Sequence, residues 1–244
     1  EISECLVGSE MCIRDRNIVG KFLTHGHESH IGALPDIVRA IPGLSVYGAK
    51  LTLDILKKDM SDEDLKKVKL VEIKPHVKIN FGRLSVFPIS VTHSIPDSLL
   101  YVLYTKDGAI VYTGDFVFDS TVPEKYKTDI GKLAYVGKQG VLCLLSESIY
   151  AEREGHTSPN NRAASFIRDV LSKSEDRIIA TVFPAHFYRI QELLNEVSKT
   201  HRKVVIMGKR LQETINYARE NGYINFDKRI VCLLYTSPSP RDTR

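Results

Sequence analysis

Between Val71 and Tyr112 the chain returns repeatedly to short runs of β-type composition, and helical patterns stand on both sides of that block. The runs are Val71–Ile73, Val77–Ile79, Leu84–Val91, Leu99–Tyr104 and Ala109–Tyr112, with Gly82 and Lys106-Asp107-Gly108 at the turns. Asp-Gly suits the positive φ of a compact hairpin, so neighbouring runs are expected to pair. A sheet flanked by helices must bury its faces against them, which restricts the chain to a layered α/β domain.

Upstream of the block, a strand over Val19–Leu23 runs into the polar segment Thr24–His30. Ile31–Ile41 then carries Leu34, Ile37, Val38 and Ile41 at helical spacing, with Pro35 early enough to be tolerated. Leu44–Tyr47 reads as a strand, Leu51–Lys58 as a helix, and Asp62–Lys69 as a solvated charged excursion. After a further strand, Val141–Leu145, the period changes. Pro159–Leu171, His186–Val197 and Leu211–Glu220 read as helices, the last closed by Asn221-Gly222, with strands at Ile178–Val182 and Lys203–Met207 between them. That alternation implies a parallel three-layer unit, placing a domain change near Tyr150.

The bulk composition, 43% hydrophobic and 26% charged over 244 residues, excludes a disordered or fibrous chain. No apolar run approaches the roughly 20 residues of a bilayer span, and the N-terminus lacks the pattern of a signal peptide. A formal net charge of +4 permits an anionic partner without demanding one.

The two ends read differently. Leu6–Arg16 (LVGSEMCIRDR) and, up to Arg241, Cys232–Asp242 (CLLYTSPSPRD) can be back-translated, in different frames, from one DNA segment and its reverse complement. That DNA resembles a transposase-type sequencing adapter. Residues 1–16 and 232–244 are therefore expected to be translated read-through around a native stretch of about Asn17–Val231, itself an internal piece of a longer protein. Within that stretch Cys143 is the one cysteine, and its apolar run predicts a buried thiol in a reducing, cytoplasmic setting.

Chemistry concentrates in His25-Gly26-His27-Glu28-Ser29-His30, three imidazoles in six residues between a strand and a helix. Loops at strand ends are where a rigid scaffold presents function, and neutral imidazole is a zinc ligand. His93 ends the strand Leu84–Val91, and Asp115 follows Ala109–Tyr112 in Tyr112-Thr113-Gly114-Asp115. One sheet edge could gather all of them, although a surface cluster of histidines would be the plainer explanation of the first motif alone. His76 and His201 have surface contexts and receive no role.

Phe22–Pro35, Val91–Ser98 and Tyr112–Phe116 resemble, in order, the metal motifs of the metallo-β-lactamase superfamily. Ser146-Glu147-Ser148, Ala151-Glu152-Arg153 and Gly155-His156-Thr157 resemble the start of the β-CASP domain of its ribonuclease J branch. The resemblance implies a partial αββα sandwich over residues 17–150 and a partial β-CASP α/β domain over 151–231. It implies that His25, His27 and His93 bind one Zn2+, that His30 belongs to a second, and that Asp115 bridges the two. The implied activity is RNA phosphodiester hydrolysis, 5′-to-3′ exonucleolytic and endonucleolytic, in RNA processing and decay. RNA is the implied partner, beside a second copy or a paralogous ribonuclease, and no membrane is involved. Glu147, Ser148, His156, Thr157, His186 and Arg189 are weaker candidates for contact with RNA. Lys203, Lys209 and Arg210 read as solvated charges, and Tyr217 and Tyr223 as core or rim packing.

Ser29 departs from the pattern, which has Asp at that place. A neutral hydroxyl brings no charge to offset a dication, so the second zinc is expected to be weak or absent. The pattern also places a further His ligand beyond the β-CASP insertion and strands before the first motif, so this stretch alone is expected to be inactive. Two alternatives stand beside the nuclease: a degenerate paralogue serving as an RNA-binding or ribonuclease-binding subunit, and another hydrolase of the same fold acting on a thioester or lactone.

Overall fold

The computed structural model describes residues 18–119, 122–149, 151–155 and 161–232. They form two compact units. The first takes the chain up to Val91 with Asp97–Phe116 and Thr128–Ser148; the second takes Thr92–Pro96, Val117–Lys127 and the chain from Ile149 onward.

The first unit contains two sheets. β1 (Lys21–Phe22), β2 (Leu44–Gly48) and β3 (Val68–Glu72) form a parallel sheet in that order. Parallel strands need crossovers, and helices supply them: α1 (Glu28–Ile31) and α2 (Leu34–Ala40) between β1 and β2, α3 (Lys50–Asp59) and α4 (Asp62–Leu65) between β2 and β3. The helices bury Ile31, Leu34, Val38, Leu53 and Leu56 against Leu23, Leu44 and Val46 of the sheet. Val38 and Val46 are wholly buried, each stabilising the fold by about 1.5–3 kcal/mol relative to exposure.

The second sheet is ordered β4 (Ile79–Phe81), β5 (Leu84–Ser90), β6 (Leu99–Thr105), β7 (Gly108–Tyr112) and β8 (Val141–Leu145), antiparallel until β8 joins parallel to β7. One face packs on the first sheet through Val86, Leu99 and Tyr101, which meet Phe22, Tyr47 and Val71. The other packs Ile89, Val102 and Val111 beneath α5 (Ile130–Gln139) through Leu133 and Val136. The layers run helix, sheet, sheet, helix: the αββα arrangement of the metallo-β-lactamase fold.

In the second unit, α6 (Asn161–Lys173) meets α7 (Phe187–Ser198), where Arg168 grips Glu196 with two hydrogen bonds of 3.0 and 3.1 Å. α7 buries Phe187, Ile190, Leu194 and Val197 at helical spacing. α8 (Lys209–Glu220) buries Ile215 and Ala218, and β9 (Val204–Val205) pairs parallel with β10 (Val231–Cys232). Tyr223 packs against Phe187 and Tyr217, as rim residues do. Among the described residues no helix is long and apolar enough to cross a membrane.

Several expectations need correction. The helix over Ile31–Ile41 is two helices, broken at Gly32-Ala33. Asp62–Lys69 divides into α4 and the start of β3, because Val68 and Leu70 have apolar cover. The Val77–Ile79 strand begins later, as β4. Ile178–Val182 joins no sheet, and Ile179 is 92% exposed, so an apolar run without a pairing partner stays irregular. Cys143 is exposed rather than buried, because β8 is an edge strand whose residues are all exposed. In the β6–β7 hairpin the positive φ falls on Gly108, at +141°, and Asp107 keeps an ordinary backbone.

Candidate metal centre

The centre is built where β1 stops. Leu23 N–H donates to Tyr47 O, and Thr24 O accepts from Leu99 N–H, so the residues just before His25 are tied to both sheets. His25 is fully buried. Its Nδ1 lies 3.1 Å from the buried Thr24 hydroxyl, which also stands 3.4 Å from His30 Nδ1. Engaging Nδ1 in this way turns Nε2 toward the other ligand-type groups, the usual role of a supporting hydrogen bond behind a metal-binding imidazole.

His27 sits in extended conformation at the head of α1, and its carbonyl accepts from the N–H groups of His30 and Ile31. This single turn, spaced i to i+3, brings His27 and His30 to the same side. Their rings flank His25, with centroids 4.6 Å and 4.0 Å away.

Asp115 arrives from β7 through a close approach. Gly114 has φ +59°, and a Cβ there would stand 2.8 Å from Thr24 Cγ2 and 2.9 Å from Thr24 Cβ. Glycine is therefore demanded twice, by backbone conformation and by space. The approach sets Asp115 Oδ2 3.3 Å from His30 Nε2 and 3.8 Å from His25 Nε2. On the far side, Phe116 N–H donates to Glu147 Oε1 at 2.8 Å, so Glu147 holds the segment that follows Asp115.

One ligand atom from each of His25, His27, His93 and Asp115 lies within 4.8 Å of the others. Tetrahedral zinc bonded at about 2.0–2.1 Å spaces its donors by roughly 3.4 Å, so this set lies within a side-chain adjustment of it. Three imidazoles and a carboxylate are also the donor chemistry that zinc accepts. The residues present fit a divalent metal.

The sequence-derived residues thus divide. His25, His27, His93 and Asp115 come together; His30 stands beside them against Asp115; Ser29 is exposed on α1. Ser148 is exposed, and His156 and Thr157 lie outside the described residues. His186 heads α7, its Nδ1 accepting from Arg189 N–H, and burial followed by the Arg189 charge lowers its pKa. Arg189 Nη1 donates to Glu192 Oε2 at 2.5 Å. Burial raises the Glu192 carboxyl against the opposing pull of Arg189. His76, given no role, pairs with Asp129 at 3.1 Å. Sequence reasoning passed over Thr24 and Gly114 as functional positions; only their adjacency to His25 and Asp115 could have marked them.

Residues 11–187 match the family model described as "Beta-lactamase superfamily domain", and the chain belongs to that superfamily. Within it the likeness narrows, for residues 175–236 match the model "Ribonuclease J, beta-CASP domain". The chain is similar to Ribonuclease J 2 of Staphylococcus aureus, 38% identical over 213 residues, covering 87% of this chain and 38% of the relative. Ribonuclease J 2 of Staphylococcus saprophyticus is 37% identical over the same coverage. The chain therefore spans 38% of the length of these curated relatives. A solved protein of unknown function from Enterococcus faecalis V583 superposes with TM-score 0.61 at 19% identity, covering 88% of this chain and 55% of that one, a likeness of fold alone.

Proposed function

We propose that this chain carries the metal-binding part of a zinc-dependent ribonuclease of the ribonuclease J kind, hydrolysing RNA phosphodiesters from a 5′ end and internally. The observation that carries the reading is the convergence of His25, His27, His93 and Asp115, residues far apart in sequence. The similarity to Ribonuclease J 2 supports RNA as the substrate. A cytoplasmic setting and assembly with a second copy or a paralogous ribonuclease belong to the same reading.

His25, His27 and His93 would hold the metal with Asp115, and Thr24 would orient the His25 ring. A metal held there supplies Lewis-acid polarisation of a phosphate oxygen and a more acidic water. His30, 3.3 Å from Asp115 Oδ2, steadies that carboxylate. Glu147 fixes the backbone that carries Asp115.

Ser29 favours a second reading, a weakened subunit that binds RNA or a partner nuclease, because the hydroxyl contributes no negative charge to a second site. Metal analysis tests both. The chain should bind about one zinc, lose it in His27→Ala, and gain a second in Ser29→Asp. A chain extended to its relatives' length should cleave 5′-monophosphorylated RNA; turnover of a lactone with the RNA left intact would refute the assignment.

A further inference from the structure

At the far end of the second sheet is a cavity of about 540 Å³ that the metal centre does not use. It lies between the sheet and the C-terminal turn of α5, lined by Lys78, Phe87, Tyr104, Thr105, Tyr135 and Gln139, with the glycines Gly108 and Gly140 at its rim. β6 measures the separation. Leu99 bonds to Thr24 beside His25, whereas Tyr104 and Thr105 lie at the other end, about 20 Å along a strand of this length.

We propose that this cavity binds a nucleotide, with the base against the tyrosine rings and Gln139 and the phosphate at Lys78. The volume lies inside the roughly 300–1,000 Å³ of small-ligand sites. Tyr135 is 58% exposed and Tyr104 half-buried, so aromatic surface is available for a base to cover, and every base has a face that stacks.

Gln139 is held ready for a base edge. Its Nε2 donates to Tyr135 OH at 3.0 Å and its Oε1 accepts from Tyr104 OH at 3.4 Å. An amide has two N–H donors and two lone pairs on oxygen, so one donor and one acceptor remain, the pair that a base edge matches. Lys78 Nζ lies 4.4 Å from the Tyr104 ring centroid. The ring steadies the ammonium without neutralising it, leaving its charge for an anion. An aromatic anion with a hydrogen-bonding edge satisfies all three groups at once; inorganic phosphate would leave the rings and the amide unused.

A free mononucleotide and a nucleotide within an RNA strand share this chemistry, so the test carries both. Adenosine 5′-monophosphate and a short adenylate oligomer are titrated separately into the 244-residue chain and its Lys78→Glu and Gln139→Leu variants, each with zinc added and with a chelator. Saturable binding is expected for at least one probe, weakened about tenfold or more by Lys78→Glu and by Gln139→Leu, and the same with zinc as with the chelator. Both cavity substitutions are at exposed positions, and unchanged melting temperatures verify the fold. Mononucleotide binding identifies the free nucleotide as the source, and oligomer binding alone identifies the strand; either supports the site. The proposal is overturned by no saturable binding of either probe, by affinity indifferent to both cavity variants, or by binding that requires zinc, which would move the ligand to the metal centre.

Discussion

Gly114→Ala should damage the candidate metal centre without replacing any of its candidate ligands. Two penalties add. Holding an L-residue at φ +59° costs about 1–2 kcal/mol, and forcing a methyl to within 2.8–2.9 Å of Thr24 costs about 1–3 kcal/mol more in displaced side chain or backbone. Gly82 separates the two terms. Its φ is +63° but a Cβ there meets nothing within 4 Å, so Gly82→Ala should cost only the backbone part, about 1–2 kcal/mol. Relief of the Gly114 collision must push the loop off Thr24, carrying Asp115 away from His25 and His30. Urea denaturation of both variants, beside a zinc titration, reads the outcome. Gly114→Ala should lose about 1–3 kcal/mol beyond Gly82→Ala and bind zinc about 10–100-fold more weakly, while Gly82→Ala keeps its zinc affinity. Equal stabilities in the two variants, or undiminished zinc affinity in Gly114→Ala, would refute the link from loop contact to ligand placement.

Two further outcomes follow from geometry already given. Thr24→Val keeps the volume but removes the hydroxyl behind His25 Nδ1 and His30 Nδ1, so zinc affinity should fall about tenfold with little change in secondary structure by circular dichroism. Glu196 is held at a pKa of about 2 by its hydrogen bonds from Arg168 and Lys199. A depressed carboxyl stabilises the fold above its unfolded value and loses that contribution as pH falls toward 2. The unfolding free energy of the unsubstituted chain should therefore fall between about pH 4.5 and 2 more steeply than that of Glu196→Gln, and parallel profiles would contradict this.

The architecture of the first unit was legible because each of its longer strands announced itself locally. Leu84–Val91, Leu99–Tyr104 and Ala109–Tyr112 lie within a residue or so of β5, β6 and β7, and the apolar content of each matches the faces it buries. α5 escaped notice because Gly131 and Gly137 weaken its helical signal by about 1 kcal/mol each relative to alanine. Its stability comes from Asp129 capping Lys132 N–H, a local signal, and from Leu133 and Val136 meeting the sheet, contacts that no local pattern reveals. Ile178–Val182 failed in the opposite sense: the composition of a strand was present without a partner ladder. At the centre, residue types marked the imidazoles and Asp115, but the supporting contacts of Thr24, Gly114 and Glu147 depend on segments meeting across the sheets. Placement at strand ends suggested one sheet edge for His93 and His25, and family resemblance assigned them to one metal.

The Thr24 side chain has one proton to give and stands against two rings. For His25 to offer its Nε2 lone pair to a cation, its Nδ1 must carry hydrogen and donate to the Thr24 oxygen. In a neutral His30 ring that accepts the hydroxyl proton at Nδ1, the hydrogen sits on Nε2, the atom 3.3 Å from Asp115 Oδ2. Arming the first imidazole therefore disarms the second: a cation recruited to His30 Nε2 would have to reverse that relay, so a single alcohol makes the two candidate positions compete.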